Sequence, residues 1–323
     1  MTTFQNIQQT LAPELTALND RIASALGSPN ALMNTVINSY LEKKGKQIRP
    51  IIVLLSAKLL GQVNEKVIAG AVAVELLHNA SLIHDDVVDD TVTRRGSSTI
   101  NGTWDNHLAV LVGDFFLSNA LLQSVATNDI RVVKSISDLG RLLSIGELDE
   151  IYTARYKNLD EESYFQIIYR KTASLFVSCV EVGAYGVEVD DDRLDTLREF
   201  ARLLGLCFQI KDDIFDYFSD EKIGKPTGND LREGKITLPL LHALKNGSPR
   251  SQQMAELAQA PHLDPAQVNE LISFAIEEGG IDYAYATMRR LRDQAAELLK
   301  RFPDNEQRRA LLSLIDFIIT REN

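Results

Sequence analysis

Two short clusters of aspartates carry the strongest chemical signal in this chain. Both have the spacing Asp-Asp-x-x-Asp, and each ends a long apolar run with helical periodicity. Aspartates four residues apart on a helix lie one turn apart on the same face. Near a protein surface each such pair repels by about 4 kcal/mol at a separation of ~4 Å. The aspartates are Asp85, Asp86, Asp89 and Asp90 in the first cluster, and Asp212, Asp213 and Asp216 in the second.

A bound divalent cation would relieve this repulsion, and carboxylates together with phosphate oxygens are the ligands that Mg2+ prefers. One cluster alone is equally well read as a solvated acidic helix end, because charge runs are usually exposed. The second cluster and the cations that follow both favour the metal. We therefore predict two helices facing each other across a cavity, with Mg2+ on both walls and a diphosphate held by the trailing cations. Those cations are Arg94, Arg95, Lys225 and Lys235.

The order of short motifs resembles that of the trans-isoprenyl diphosphate synthases, the polyprenyl synthetase family, and in particular its medium- and long-chain members. The similarity covers about residues 35–245, whereas residues 250–321 match only as helices that complete the bundle. The motifs are Gly45-Lys46-Gln47-Ile48-Arg49-Pro50, the segment from Leu82 to Gly96, Lys171-Thr172, Phe208-Gln209, the segment from Asp212 to Asp216, Gly224-Lys225-Pro226, Asp230-Leu231 and the segment from Gly234 to Leu240.

This resemblance implies an all-α, single-domain helical bundle spanning residues 1–323 around a deep central cavity. It implies a Mg2+-dependent, head-to-tail condensation of isopentenyl diphosphate with an allylic prenyl diphosphate. Three Mg2+ ions are expected with substrate bound, and the assembly expected is a homodimer.

The resemblance also assigns roles to individual residues. The diphosphate of isopentenyl diphosphate is assigned to Lys46, Arg49, His78 and Arg95. The allylic diphosphate is assigned to Arg94, Lys171, Thr172, Gln209, Lys225 and Lys235. The metal ligands are Asp85, Asp86, Asp89, Asp212, Asp213 and Asp216, and the catalytic set is Asp85, Asp89, Asp212, Lys171 and Lys225. Without the resemblance, a basic turn is usually solvated and a lone helix histidine is usually a core residue. Two departures leave roles open: Glu150 stands where many relatives have Gln, and Lys211 where an apolar residue is common.

Product length is predicted from small residues one turn before the first cluster. Ser81 is four residues before Asp85, and Ala80 precedes it, whereas relatives that stop at C15 carry aromatic bulk at one or both places. The product is therefore expected to be longer than C15, and longer than C20. A shorter-chain farnesyl or geranylgeranyl diphosphate synthase is the alternative. The small side chains of Ala80 and Ser81 would leave open a tunnel for the growing chain below the first cluster. The candidates for the floor of this tunnel, which the sequence does not rank, are Leu121, Leu122, Val125 and Ile136.

Three other classes stay open at this stage. A terpene cyclase would share the bundle and the first cluster, but its second motif usually has an Asn/Ser/Glu pattern. A metal-dependent phosphohydrolase would need further ligands, yet the remaining histidines show no ligand spacing. A non-catalytic partner subunit would normally lack the aspartates, all of which are present here.

Length and composition allow a large hydrophobic core and argue against some classes of partner. The chain has 323 residues, 45% of them hydrophobic, and a net charge of -11, which argues against nucleic acid as a general partner. We find no signal peptide and expect no membrane-spanning segment. Cys179 and Cys207 are expected to be buried free thiols, which indicates a cytoplasmic protein.

Helical periodicity recurs along most of the chain, and no strand is predicted. The predicted helices cover about residues 4–26, 28–44, 50–60, 64–90, 104–126, 129–152, 160–186, 190–218, 235–245, 264–278, 281–301 and 304–320. Pro239 is expected to kink the helix that begins near Lys235.

Overall fold

The computed structural model describes residues 3–41, 45–94, 96–156, 160–218, 227–245 and 247–321. Within these ranges the chain is almost entirely helical, which confirms the predicted all-α class. The helices are α1 (Thr3–Thr10), α2 (Ala12–Ala25), α3 (Ala31–Leu41), α4 (Ile48–Leu60), α5 (Glu65–Val88), α6 (Ile100–Thr103), α7 (Asn106–Ala126), α8 (Ile130–Tyr156), α9 (Glu161–Ile168), α10 (Ser174–Tyr185), α11 (Asp191–Phe215), α12 (Asn229–Arg232), α13 (Leu238–Leu244), α14 (Pro249–Ala258), α15 (Pro265–Glu277), α16 (Gly280–Leu299) and α17 (Glu306–Thr320).

Helix α5 is buried among helices α2, α4 and α7, and it carries the first aspartate cluster. Its start is fixed by Asn64, whose side chain accepts a hydrogen bond from the backbone N–H of Val67 at 3.1 Å. Most of its length is buried, and it packs against α2, α4 and α7. At Gly113 of α7, a Cβ would lie 2.2 Å from Nε2 of His84. Glycine there therefore allows α7 to approach the cluster-bearing end of α5 closely.

The prediction of no strand is wrong at one short place. Strand β1 (Thr93–Arg94) pairs antiparallel with β2 (Ser97–Ser98), directly after the first aspartate cluster. Gly96 has φ +74°, a left-handed conformation that glycine adopts without strain and that a tight hairpin turn requires. Two-residue strands are too short for the alternation of apolar and polar residues that sequence reading depends on.

Several helix predictions need correction. The first predicted helix is divided at Leu11 into α1 and α2, and helix α14 was not predicted. Pro239 does not kink a helix: it lies in the first turn of α13, where its missing N–H has no helical partner to lose. A π-helix, Tyr169–Ala173, interrupts the predicted 160–186 helix between α9 and α10. Single π-turns of this kind often occur at functional sites.

The residues group into two compact units whose segments alternate along the chain. Unit 1 comprises residues 1–141, 175–201 and 299–314, and it contains the first aspartate cluster. Unit 2 comprises residues 142–174, 202–298 and 315–323, and it contains the second cluster. The single-domain organisation and the facing arrangement of the two clusters stay predictions.

Both cysteines are free and buried, as predicted. Burial raises the pKa of the Cys207 thiol to about 12 and that of Cys179 further still. By length and composition two described helices, α5 and α7, could cross a membrane, so the expectation of no membrane-spanning segment stays a prediction. In α5 72% of the most apolar 18-residue stretch is buried, as is typical of a core helix. In α7 the buried share of the corresponding stretch is 39%.

Candidate active site

The first aspartate cluster lies at the carboxyl end of α5. Asp85 is half-buried, Asp86 is 8% exposed, and Asp89 follows the last helical residue and is exposed. Arg94 in β1 donates from Nε to Oδ1 of Asp86 at 2.7 Å. The structure thus brings a predicted metal ligand into direct contact with a predicted diphosphate ligand. Burial raises the pKa of Asp86 above its ordinary value, although Arg94 opposes the shift.

The second cluster lies at the carboxyl end of α11. Asp212 and Asp213 are on the last helical turn, and Asp216 is the first residue beyond Phe215. The Asp216 carboxylate accepts hydrogen bonds at 3.0 Å from the backbone N–H groups of Asn229 and Asp230, which begin α12. This predicted metal ligand therefore also fixes the segment that leads to Lys235.

A buried chain of hydrogen bonds holds Asp213. Thr172 in the π-helix donates to Oε1 of Gln209 at 2.7 Å, and the Gln209 amide donates to Oδ1 of Asp213 at 2.8 Å. The hydroxyl of Tyr164 donates to Oδ2 of Asp213 at 2.5 Å. Thr172 and Gln209 were both predicted from the sequence, and the structure connects them. Tyr164 was missed, because a tyrosine 49 residues away from its partner gives no local signal.

Burial raises the pKa of Asp213 well above the ordinary range of a carboxyl group, while the hydrogen bonds from Tyr164 and Gln209 oppose the shift. The nearby carboxyl of Asp230 is shifted in the same direction, mainly by burial and then by the charge of Asp213. These carboxyl groups are costly to ionise together, so a cation beside them would be bound favourably.

Arg321, at the end of α17, is a second site residue that the sequence did not reveal. Its guanidinium lies 2.5 Å from Oδ1 of Asp212 and donates to the carbonyl of Phe208 at 3.2 Å. It is also stacked over the Phe208 ring, 4.2 Å from the centroid, and its side chain is 10% exposed. Arg321 therefore supplies a positive charge at a predicted metal ligand, 109 residues away along the chain.

A lysine–carboxylate cluster forms the polar part of a cavity of about 160 Å3 in unit 2. Nζ of Lys171 lies 2.8 Å from Glu147 and 2.6 Å from Glu150. Nζ of Lys235 lies 2.9 Å from Glu150 and 2.7 Å from Glu233. Tyr164, Thr172, Gln209 and Asp213 line the same cavity. The role of Glu150, left open by the sequence, is thus to contact both lysines.

Electrostatics keep this cluster charged. Burial raises the pKa of Glu150, but Lys171 and Lys235 outweigh this effect and hold it below its ordinary value. Burial lowers the pKa values of both lysines, but Glu150 reverses the shift and leaves them raised. Backbone packing supports the arrangement: a Cβ on Gly146 would lie 2.8 Å from the backbone nitrogen of Lys171. Glycine at position 146 therefore allows α8 to lie against the π-helix.

The other sequence-predicted residues are distributed as follows. Lys46 is exposed two residues before α4 begins. Arg49 is half-buried in the first turn of α4, and His78 is 8% exposed in α5. Arg95 and Lys225 lie outside the described residues. Lys211, whose role was open, donates to the hydroxyl of Tyr285 at 3.1 Å and lies over that ring, so it is a packing residue of unit 2.

The predicted chain-length residues lie on α5 as expected. Ala80 is 2% exposed, and the Ser81 hydroxyl donates to the carbonyl of His78 at 2.9 Å. Among the residues named for the tunnel floor, Ile136 is buried at 1% exposure. Leu121, Leu122 and Val125 are 41%, 63% and 59% exposed, so they do not lie inside the described chain.

The donor set fits Mg2+ by its chemistry, since both clusters offer only carboxylate oxygens. Within the described ranges, no three His, Cys, Asp or Glu side chains converge on one point that could hold a metal ion. Carboxylates of both clusters instead contact protein partners: Asp86 contacts Arg94, and Asp212 contacts Arg321. The assignment of the six aspartates as metal ligands stays a prediction.

Comparison with known proteins now decides the family. The polyprenyl synthetase family matches residues 30–275 of the chain. The chain belongs to the polyprenyl synthetase family. It is 32% identical to the octaprenyl diphosphate synthase of Haemophilus influenzae over 98% of this chain and 97% of that protein.

Two solved structures agree with this assignment. The polyprenyl synthase of Caulobacter crescentus, complexed with calcium and isoprenyl diphosphate, has a TM-score of 0.92 and 32% identity, covering 99% of this chain and 98% of the other. The geranylgeranyl pyrophosphate synthase of Bacteroides thetaiotaomicron has a TM-score of 0.86 and 36% identity, covering 99% and 100%. The predicted isoprenoid synthase fold and the prediction of a trans-prenyltransferase are confirmed.

Proposed function

We propose that this enzyme condenses isopentenyl diphosphate with an allylic prenyl diphosphate, head to tail and in trans, to give a polyprenyl diphosphate longer than C20. The observation that carries the proposal is the cavity of unit 2. Lys171 and Lys235 line this cavity together with the hydrogen-bonded Asp213 at the end of α11. Cations next to buried carboxylates suit a diphosphate that arrives with divalent metal ions.

Asp85, Asp86 and Asp89 would hold Mg2+ on the α5 side, and Asp212, Asp213 and Asp216 on the α11 side. Bound Mg2+ acts as a Lewis acid on the oxygens of the leaving diphosphate. The calcium and isoprenyl diphosphate in the Caulobacter crescentus structure support a divalent ion in the family. Three ions with substrate bound is the number that we propose.

The protein side chains contribute fixed positive charge and orientation. Lys171 and Lys235 donate to the oxygens that gain charge as the allylic C–O bond breaks, which stabilises the transition state. The double bond of isopentenyl diphosphate then attacks the allylic carbon, and the proton lost is taken up by the departing diphosphate. Tyr164 and Gln209 keep Asp213 in place through direct hydrogen bonds. No side-chain base is needed for this sequence of steps.

An incubation of the purified chain tests the proposal directly. Labelled isopentenyl diphosphate and Mg2+ are supplied with geranyl, farnesyl or geranylgeranyl diphosphate in turn, and the products are sized. We expect polyprenyl diphosphates longer than C20, and no turnover after chelation of divalent ions. A hydrocarbon product would indicate a terpene cyclase instead, and release of phosphate alone would indicate a hydrolase.

A shorter-chain synthase is the second candidate, because the Bacteroides thetaiotaomicron relative is named a geranylgeranyl pyrophosphate synthase. The small residues Ala80 and Ser81 favour the longer product. Replacing Ser81 with Phe is expected to shorten the product to C15 or C20, since the ring would block the space one turn before Asp85. Product sizing by mass spectrometry measures this. Ser137→Phe, on the exposed face of α8, is the control that should leave the length unchanged. An unaltered product from Ser81→Phe would contradict the tunnel.

The exposed apolar face of α7 supports a homodimer. Five apolar residues lie on one side of this helix, in two groups about three turns apart, and are 40–63% exposed. They are Val110, Leu111, Leu121, Leu122 and Val125. We propose that a second copy covers this face, and that the protein is cytoplasmic.

Replacing Leu122 with Asp is therefore expected to convert a dimer into a 36.0 kDa monomer, because it places a charge in the apolar interface. Sedimentation velocity measures the change. Leu32→Asp, at another exposed leucine on α3, serves as the control that remains dimeric. A wild-type chain that is monomeric and floats with liposomes would identify a membrane as the partner of this face.

A further inference from the structure

One oxygen of Glu150 joins the two lysines of the cavity. Oε2 of Glu150 lies 2.6 Å from Nζ of Lys171 and 2.9 Å from Nζ of Lys235. The Glu150 side chain is 19% exposed, so water screens these contacts only weakly. The carboxylate therefore lies between the two ammonium groups. An anionic ligand that binds both lysines would compete for the same position.

Negative charge exceeds positive charge in this cluster. Glu147 contacts only Lys171 of the pair, and Glu233 contacts only Lys235, while Glu150 contacts both. Three carboxylates thus surround two ammonium groups. An ammonium has three protons to donate, and each proton held by a carboxylate is withheld from a phosphate oxygen. The cluster holds its lysines in place, but it also competes with any diphosphate that they bind.

We infer that Glu150 sets the diphosphate affinity of Lys171 and Lys235: it keeps the two lysines together between substrates and weakens their hold on diphosphate, so that the diphosphate product is released. This inference rests on the proposed function. Glu150 acts through the lysines and is a positioning residue. A glutamine at the same place would accept a hydrogen bond but would carry no charge.

The test is a calorimetric titration of Glu150→Gln with inorganic diphosphate in the presence of Mg2+. We expect the dissociation constant to fall on the order of tenfold relative to wild type, as one nearby negative charge is removed from a weakly screened site. Inhibition of turnover by added diphosphate should strengthen by the same factor, while the KM for isopentenyl diphosphate stays unchanged. If Glu150 only held the lysines in place, its replacement would weaken diphosphate binding. If it competes with diphosphate, its replacement strengthens binding, so the direction of the change distinguishes the two roles.

Matched variants complete the experiment. Glu150→Asp keeps the charge and should retain the wild-type dissociation constant. Glu233→Gln makes the same chemical change at a residue that is 49% exposed and contacts one lysine, so it should tighten binding less than twofold. Unchanged or weaker binding by Glu150→Gln, or equal tightening by Glu233→Gln, would overturn the inference. If Glu150→Gln does not fold, Glu150→Ser removes the same charge at the same position, and unchanged or weaker diphosphate binding by that variant would overturn the inference.

The same preparations separate this inference from the proposed function. Wild-type protein that makes no prenyl diphosphate would refute the function. Wild-type protein that turns over normally, with diphosphate affinity independent of residue 150, would refute only the role of Glu150.

Discussion

Replacing Asp85 with Asn is expected to lower turnover about a thousandfold, because it removes a carboxylate at the end of α5 that would hold the Mg2+ needed to neutralise the leaving diphosphate. A factor of this size corresponds to ~4 kcal/mol of transition-state stabilisation, the amount that a Lewis acid or an oriented donor supplies. The variant should fold normally, since Asn keeps the size of the side chain. Steady-state prenyl transfer and a thermal unfolding curve measure the two effects.

Asp90 provides the matched control for this variant. It belongs to the same run of aspartates, but it is exposed and has φ +49°, a conformation that Asn tolerates well. Asp90→Asn makes the same change in charge five residues away and should keep turnover within a few-fold of wild type. Equal losses in the two variants would mean that general negative charge matters and that Asp85 has no specific role.

Replacing Lys171 with Gln is expected to lower kcat between about a hundredfold and a thousandfold, the cost of removing one oriented donor from an enclosed site. The π-helix and the close approach of Gly146 fix the backbone at this residue, so the substitution removes the charge without moving the main chain. Lys171 also holds Glu147 and Glu150, so its loss leaves two carboxylates repelling the diphosphate. Single-turnover kinetics separate this effect from binding.

The control for Lys171 is Lys245→Gln, at a lysine that is 52% exposed and pairs with Glu161. An exposed ion pair contributes little, so kcat should not change measurably. If Lys171→Gln raised only the KM and left kcat intact, the lysine would bind substrate and transition state equally.

The spacing of residues along the chain predicted those parts of the site that lie within one short segment, such as the two aspartate clusters. Both aspartate clusters were placed at helix ends, but the helices were drawn too long: in each motif the last aspartate lies beyond the final helical residue. Asp89 follows Val88, and Asp216 follows Phe215. The cause is the next few residues, namely the left-handed turn at Asp90 and the capping contacts that Asp216 makes to α12. Periodicity alone carries no information about such contacts.

Contacts between distant residues could not be predicted in the same way. Tyr164 and Arg321 reach the second cluster from 49 and 109 residues away, and neither belongs to a recognisable motif. Glu150 was noticed only as a departure from the family pattern, and its contact with both lysines depends on how α8 lies against the π-helix. The resemblance assigned the ligands, whereas the structure assigns the partners that hold them.

The two cysteines offer a practical route to watching this enzyme work. Both thiols are buried and hard to ionise, and thiolate is the species that maleimides attack, so neither should react while the protein is folded. A cysteine introduced at an exposed position away from the α7 face, such as Leu32, would then take up a fluorophore selectively without removal of the native residues. Energy transfer between labelled copies would report assembly directly, in the unaltered background of this sequence.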